Sequence, residues 1–406
     1  MARTRAQDFE EKRRVILDCA AQVFAEHAAL SGVAGALGSD FDISDHAGIT
    51  AEEYDALDPF LWPQSSTRKG GRFFGDGLFH TSSGKARMVP VTPRLPPAVS
   101  DAYPFRLNTG RVRDHWHTMT RTGLSPRLSR HLAEPFLEIH PSDASRLELA
   151  PATLAEVSSP HGRAILRVLV TERVAPGHPF APIHWTRETA SCGRIDVLVP
   201  AAVDPVSGQP GSKSAAVAIQ PFKAAWYGYA ISTHPIKPAC DYWASATLPS
   251  GYQVELAGHS EPENWVEAAR SLLGVRGEPL LVQDPRQGIR RMAFSIDGRL
   301  QAALFVAPQP VSLSRSHLAT SLGAGCGGEI LAGRPGGDQP DAGALVCACF
   351  SIGMNTILQG IATQKLMTVD AIGRALGAGT NCGSCKPDLK NLLQTAVASK
   401  AGSLVG

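Results

Sequence analysis

Residues 346–350 read Val-Cys-Ala-Cys-Phe, and residues 379–387 read Gly-Thr-Asn-Cys-Gly-Ser-Cys-Lys-Pro. The two cysteine pairs, Cys347 with Cys349 and Cys382 with Cys385, are separated by 32 residues. This spacing offers four thiolates to one metal centre, which is the ligand set of an iron–sulfur cluster that carries electrons. The end of the chain therefore predicts a small redox-active domain.

Two other uses of these cysteines stay open at this point. Disulfides are the first, although 8 cysteines in 406 residues is a far lower density than in a disulfide-stabilised secreted domain. A structural zinc site is the second, although zinc sites usually draw on C-x2-4-C pairs and the first pair here is closer. The pattern favours a [2Fe–2S] cluster over both. No paired spacing occurs among the remaining cysteines, Cys19, Cys192, Cys240 and Cys326.

The residues around the cysteines predict three short helices. An apolar period over residues 351–361 indicates the first, and Thr368 is a suitable N-cap for the second, which Gly377 would end. Pro387 suits the first turn of a third helix, so Cys385 would lie at a helix N-terminus. Free amides and the helix dipole favour negative charge there, which suits a thiolate-ligated cluster.

This stretch resembles the bacterioferritin-associated-ferredoxin type of [2Fe–2S] domain, and all four cysteine positions match that family. The resemblance implies that Cys347, Cys349, Cys382 and Cys385 ligate the cluster. It also implies a small helical domain that passes electrons to or from a larger partner domain. We place this domain at residues 344–397.

Bulk composition excludes several other classes of protein. A formal charge of +2 and 43% hydrophobic residues give no bias toward nucleic acid or a membrane surface. No run approaches the length of about 18 apolar residues that a spanning helix needs. The segment after Arg13 and Arg14 is interrupted by Asp18 and Gln22, so it lacks the apolar core of an export signal. We therefore expect a cytoplasmic protein with no nucleic-acid or membrane partner.

The most distinctive run outside the cysteines is residues 105–123, Phe-Arg-Leu-Asn-Thr-Gly-Arg-Val-Arg-Asp-His-Trp-His-Thr-Met-Thr-Arg-Thr-Gly. A short strand would end at Gly110, where the backbone can turn close to a ligand. The arginines, histidines and threonines that follow offer many donors in one loop, which suits an anionic ligand with phosphates and a polar heterocycle. A solvated basic loop is the alternative.

The same run resembles the dinucleotide-binding signature of the molybdopterin oxidoreductases, most closely the assimilatory nitrate reductase branch. Residues 157–163, 179–185 and 204–210 extend the resemblance. It implies a double-psi β-barrel that binds molybdopterin guanine dinucleotide, as part of a Mo-bis-MGD cofactor. The residues that it implies for the cofactor are Thr109, Gly110, Arg111, Val112, Arg113, Asp114, His115, Trp116, His117, Thr118 and Lys213.

Together these signals predict an α+β multidomain chain with a mixed α/β region between the barrel and the cluster. An Asp297–Gly298 turn between two apolar runs indicates a hairpin in that region. The predicted divisions are an N-terminal amphipathic helix at 1–30, a remnant of a preceding oxidoreductase domain at 31–95, the barrel at 96–223, the connecting region at 224–322, a Gly/Pro-rich linker at 323–343 and the cluster domain at 344–397.

The resemblance implies reduction of nitrate to nitrite, with electrons entering through the cysteine cluster. It implies an electron donor, either a reductase or a ferredoxin or flavoprotein, and the family's amino-terminal half as a further partner on a separate chain. No residue of this sequence is predicted to be catalytic. A non-catalytic iron–sulfur electron-transfer module is the rival hypothesis.

Overall fold

The computed structural model describes residues 2–37, 41–72, 74–90, 96, 98–205, 207–236, 238–336 and 340–402. The chain divides into two compact units, Met1–Arg94 and Leu95–Gly406. Both functional segments lie in the second unit. Within the described residues, no helix combines the length and the apolar character needed to cross a bilayer.

The first unit contains a long helix, α1 (Ala2–Ala36), and a short one, α2 (Ala51–Asp55). Helix α2 begins with a capping box in which Thr50 and Glu53 each bond the other's backbone N–H. The prediction of an amphipathic helix ending at residue 30 is wrong in two respects. Helix α1 continues for another turn and a half, and half of its predicted apolar stripe is exposed, since Ile16 and Val23 are 67% and 65% exposed while Phe24 packs against Tyr54.

The second unit begins with a closed barrel of six strands. The strands and the helices between them are β1 (Phe105–Gly110), α3 (Pro126–Ser129), β2 (Phe136–Ile139), α4 (Pro141–Arg146), β3 (Leu154–Ser159), β4 (Gly162–Val170), β5 (Phe180–Pro182) and β6 (Ala215–Pro221). They close in the order β1, β5, β2, β4, β3, β6. Strand pairs β1–β5 and β2–β4 are parallel.

Alternating side chains fill the barrel. In β1, Phe105, Leu107 and Thr109 are buried while the residues between them are more exposed, as a strand with one face on a core requires. Leu137, Val157 and Leu166 meet them inside. The predicted closed β-barrel is therefore present, and the double-psi crossing of its strands stays a prediction.

A six-stranded antiparallel sheet follows the barrel. Its elements are β7 (Trp226–Ser232), β8 (Tyr242–Leu248), β9 (Gly251–Gly258), α5 (Trp265–Leu273), β10 (Leu280–Asp284), β11 (Ile289–Ile296), β12 (Arg299–Ala307) and α6 (Arg315–Ser321). The strand order is β10, β11, β12, β7, β9, β8. The predicted hairpin is confirmed: Asp297 and Gly298 both have positive φ, 49° and 70°, between β11 and β12, as a type I′ turn requires.

The barrel and the sheet share one hydrophobic core. Leu154 and Ile165 of the barrel pack with Trp185, and with Tyr242 and Ala257 of the sheet. Burial of these side chains stabilises by about 1.5–3 kcal/mol for each large one, so the two layers support each other. The prediction of a separate connecting region misses this continuity.

Beside this core lies a partly buried network of ion pairs. Arg167 of β4 approaches Glu134 at 2.9 Å and Glu255 of β9 at 3.6 Å. Glu255 also pairs with Arg315 of α6, at 2.5 Å. The Tyr242 hydroxyl donates to Glu134 at 2.7 Å. Charged groups this deeply placed persist because each has an opposite partner.

The expectation of a linker over residues 323–343 is wrong for its central part. Residues Gly328–Ala332 form a 3-10 helix, and Ile330 and Leu331 are buried in the core beneath the sheet. Arg291 of β11 donates to the Leu331 carbonyl at 2.7 Å. Two large apolar side chains within the glycine-rich sequence are enough to fix it to the sheet.

The cluster domain follows, with β13 (Leu345–Cys347), β14 (Ile352–Gly353), α7 (Met354–Thr363), α8 (Val369–Leu376) and α9 (Lys386–Gly402). Its core is formed by side chains of its own helices, including Ile357, Ile372 and Leu389. The three predicted helices are confirmed, and so is the Thr368 cap, whose hydroxyl accepts from the Ala371 N–H at 3.1 Å.

Candidate functional site

The four cysteines of residues 347–385 meet as two pairs of thiols. Cys347 and Cys385 are buried, each 2% exposed, and their side chains are close enough to hydrogen-bond. Cys349 and Cys382 lie nearer the surface, with their sulfur atoms 3.3 Å apart. The fold therefore brings the four predicted ligands together two by two.

The arrangement of the thiols in two pairs bears on the kind of metal centre, which the sequence left open. Across the described residues, no set of three or more His, Cys, Asp or Glu side chains converges on a point that could hold one metal ion. A structural zinc ion needs four ligands around one such point, whereas a two-iron cluster takes two thiolates on each iron. Two pairs of thiols could supply two ligands to each iron of such a cluster.

The two sulfur pairs differ in their surroundings. Burial raises the pKa of the Cys385 thiol to about 11, and the neighbouring Cys347 thiol adds to the rise, while Arg113 opposes it. Hydrogen bonds from the Ser384 side chain and backbone lower the pKa of Cys382. The Cys382 thiol is therefore more easily ionised than the Cys385 thiol. Cys385 immediately precedes α9, as predicted.

The predicted dinucleotide-binding loop leaves the barrel after β1. It carries non-glycine residues in the left-handed region at Asp114, His117 and Met119, with φ of 72°, 43° and 61°. Such conformations cost free energy and concentrate at binding sites. Arg111 lies over the Trp116 ring at 4.8 Å, and Trp116 is 56% exposed. Arg111, Trp116, His117 and Thr118 are all exposed, where a ligand could reach them.

Lys213 and Thr109 are brought together although 104 residues separate them. The lysine ammonium donates to the Thr109 carbonyl, and the Thr109 hydroxyl donates to the Ser212 carbonyl at 2.7 Å. A Cβ on Gly110 would lie 3.0 Å from the Phe180 ring, so the backbone passes close to β5 there. A cation beside a turning backbone suits a phosphate group.

Other predicted residues of this loop are already engaged. The Val112 N–H donates to His184, and His115 Nε2 contacts the Leu132 carbonyl at 2.8 Å. Arg113 contacts the cluster domain, and Asp114 lies 3.0 Å from His131. Contact of these four residues with the dinucleotide stays a prediction. In the structure, each of them instead contacts another part of the protein.

His184 is the functional residue that the sequence did not reveal. It is fully buried, its Nε2 accepts from the Val112 N–H at 2.9 Å, and its Nδ1 donates to the His117 carbonyl at 2.7 Å. This pair of bonds requires the neutral ring. Its position within Pro-Ile-His-Trp was visible, but its partners lie 67 and 72 residues away. His184 holds both ends of the loop.

Beneath the loop lies a cavity of about 240 Å³ lined by His115, Thr118, Trp185 and Thr247 among others. His115 Nδ1 is buried and has no hydrogen-bond partner among the described residues. An orphaned polar atom of this kind is uncommon in folded proteins. The loop residues therefore fit a polar ligand that supplies the missing bond.

Acidification should weaken the loop anchor, because burial lowers the pKa of both His115 and His184 below the ordinary value of 6.5. Unfolding then takes up protons, so the free energy of unfolding falls as pH drops below about 6.5, by up to ~1.4 kcal/mol per pH unit for each histidine. We expect urea unfolding midpoints to fall between pH 7.5 and pH 5. The variant His184→Asn, which has no titrating ring, should fall less steeply; equal slopes would contradict the assignment.

Comparison with known proteins agrees with both segments. Residues 105–216 match the family "Molydopterin dinucleotide binding domain", and residues 345–395 match the family "BFD-like [2Fe-2S] binding domain". Two regions of the chain are therefore similar to domains found in molybdopterin oxidoreductases. The chain carries the domains that bind a molybdopterin dinucleotide and a [2Fe–2S] cluster.

Several relatives that match this chain are nitrate reductases. A nitrate reductase of Klebsiella oxytoca is 37% identical over 93% of this chain and 43% of its own length. A nitrate reductase of Shewanella frigidimarina is 26% identical over 91% of this chain and 43% of its own length. The assimilatory nitrate reductase catalytic subunit of Bacillus subtilis is 32% identical over 44% of this chain and 25% of its own length. The chain thus spans less than half the length of the relatives it matches.

Proposed function

We propose that this chain serves a molybdenum-dependent assimilatory nitrate reductase of the cytoplasm, by binding molybdopterin guanine dinucleotide and relaying electrons through its [2Fe–2S] cluster. The observation that carries the proposal is the closeness of the two segments. The loop after β1 contacts Asp388 and Val346, which are close in sequence to Cys385 and Cys347, so the proposed electron carrier would lie next to the dinucleotide-binding barrel.

The residues of the chain divide the work. Cys347, Cys349, Cys382 and Cys385 would hold the cluster. Lys213, Arg111 and the exposed end of the loop would bind the dinucleotide. His184 would keep the loop in its binding conformation. When bound, the molybdenum cofactor supplies the two-electron chemistry that turns nitrate, with two protons, into nitrite and water.

The proposal that nitrate is the substrate rests on the two relatives that match more than nine-tenths of this chain. Since the chain spans 43% of their length, we propose the activity for the chain together with the remaining family sequence, on the same or a separate polypeptide. The electron donor is proposed to be a reductase, a ferredoxin or a flavoprotein. The barrel is proposed to have the double-psi topology, which its closed order of mixed parallel and antiparallel strands supports.

A chimaera tests this function. The matching portion of the Klebsiella oxytoca nitrate reductase is replaced by this chain, and nitrite is measured with reduced methyl viologen and with that enzyme's protein donor. We expect nitrite from both donors. The same chimaera with Cys385→Ser should lose turnover with the protein donor, since its electrons enter through the cluster. A chimaera that contains molybdenum and iron but forms no nitrite would contradict the proposal.

The rival function is a non-catalytic electron-transfer module. The purified chain, loaded with its cluster, is assayed alone with reduced methyl viologen and nitrate. Steady nitrite formation would exclude the module. A cluster that is reduced and reoxidised without nitrite formation, together with an inactive chimaera, would favour it.

A further inference from the structure

One arginine connects the dinucleotide-binding loop with the cluster domain. Arg113 Nη1 donates to the Asp388 carboxylate at 2.8 Å, and its Nη2 donates to the Val346 carbonyl at 2.8 Å. Its Nε lies 3.3 Å from the Asp114 carboxylate. The Arg113 side chain is only 16% exposed. An arginine fork with several fixed partners in a partly buried place is a strong and directional contact.

The two partners in the cluster domain lie beside the two cysteines of the buried pair. Val346 directly precedes Cys347, and Asp388 lies in the first turn of α9, three residues after Cys385. A single guanidinium therefore contacts both chain segments that supply thiols. Because the cluster domain has a hydrophobic core formed by its own residues, polar contacts of this kind decide how it sits on the barrel.

The charges around Arg113 set the direction of its electrostatic effect. The guanidinium faces Asp114 and Asp388, and His131 also approaches it within hydrogen-bond distance. Removing the arginine would leave two carboxylates near the sulfur atoms without their common partner. Removing the Asp388 charge would instead leave the positive charge of Arg113 less compensated near the sulfur atoms. Because this site is partly withdrawn from water, such charges act more strongly than at an exposed surface.

We propose that Arg113 is a positioning residue that docks the [2Fe–2S] domain on the dinucleotide-binding barrel and stabilises the reduced cluster. This inference rests on the proposed cluster and is independent of the substrate. On reduction the cluster accepts one electron from the donor, and its total charge becomes one unit more negative, with no bond made or broken. A fixed cation beside it favours that form and raises the reduction potential.

Potentiometric titration of the reconstituted chain, followed by electron paramagnetic resonance, tests the proposal. In Arg113→Gln we expect the ratio of reduced to oxidised cluster at a fixed potential to fall about tenfold, a shift of ~59 mV to more negative values for one electron. Asp388→Asn should shift the potential in the opposite direction. Arg113→Lys keeps the charge but loses the fork, so its potential should lie between those of wild type and Arg113→Gln.

Docking is measured separately by limited proteolysis of the same proteins. Arg113→Gln should be cleaved between barrel and cluster domain faster than wild type, and Arg113→Lys at an intermediate rate. Arg163→Gln, which removes an exposed ion pair with Glu156 on the barrel, is the matched control and should change neither measurement. If Arg113→Gln holds the cluster at the wild-type potential, the role of Arg113 is overturned. If the wild-type chain takes up no cluster, the result contradicts the proposed cluster itself, and with it the effect of Arg113 on the potential.

Discussion

Replacing Cys385 by serine should leave the purified chain without its visible absorption and with almost none of the two iron atoms that the wild type binds. Cys385 is 2% exposed and lies beside Cys347 at the start of α9. Its loss removes one of the four thiolates that the two pairs supply. Serine is a much poorer ligand for this soft metal centre. Iron, labile sulfide and the visible spectrum are measured on anaerobically prepared protein.

The matched control is Cys326→Ser, because Cys326 is a partly buried thiol outside the two pairs. It should retain the full iron content and spectrum. Circular dichroism must show that Cys385→Ser is still folded, so that metal loss is not a result of unfolding. A wild-type protein that carries stoichiometric zinc, or equal spectra in wild type and Cys385→Ser, would refute the cluster.

Arg167→Leu should cause the largest loss of stability and lower the free energy of unfolding by ~3–5 kcal/mol. Burial disfavours the charged form of Arg167, but Glu134 and Glu255 more than offset it and hold its pKa above the ordinary value. Leucine would leave these two carboxylates partly unpaired inside the seam between barrel and sheet, where Glu255 is 7% exposed. Urea unfolding of the whole chain, followed by tryptophan fluorescence, measures the change.

Arg163→Leu provides the comparison for this stability test. Arg163 belongs to the same strand and pairs with Glu156 at 3.1 Å, but its side chain is 66% exposed. Exposed pairs contribute about 0–1 kcal/mol, so this variant should unfold close to wild type. If the two variants lose equal stability, burial is not what gives the Arg167 network its effect.

Local signals in the sequence were sufficient for much of the fold. The Thr368 cap and the Asp297–Gly298 turn are each specified by neighbouring residues, and each is confirmed. The cysteine tetrad is also visible in the sequence, because two close pairs restrict the chemistry before any fold is known, and its role as a ligand set stays a prediction. Lys213 and Thr109 were associated through family resemblance, and the barrel brings them into contact.

What the sequence could not reveal depends on distant partners. Asp388 lies 275 residues from Arg113, so no local pattern relates them, and Arg113 was predicted only as a cofactor ligand. His184 resembles an ordinary buried histidine until the loop that it bonds is in place. The glycine-rich stretch before the cluster domain was predicted as a linker because composition does not show that Ile330 and Leu331 have a core to enter.

The core shared by barrel and sheet limits how this protein can exchange parts during evolution. Leu154 and Ile165 depend on Trp185, Tyr242 and Ala257 for their burial. A recombination breakpoint just after Phe222 would join side chains that had not been selected together and would leave misfitting surfaces on both pieces. Barrel and sheet should therefore be inherited as a pair, while the cluster domain, with its own core, can be gained or lost as a cassette.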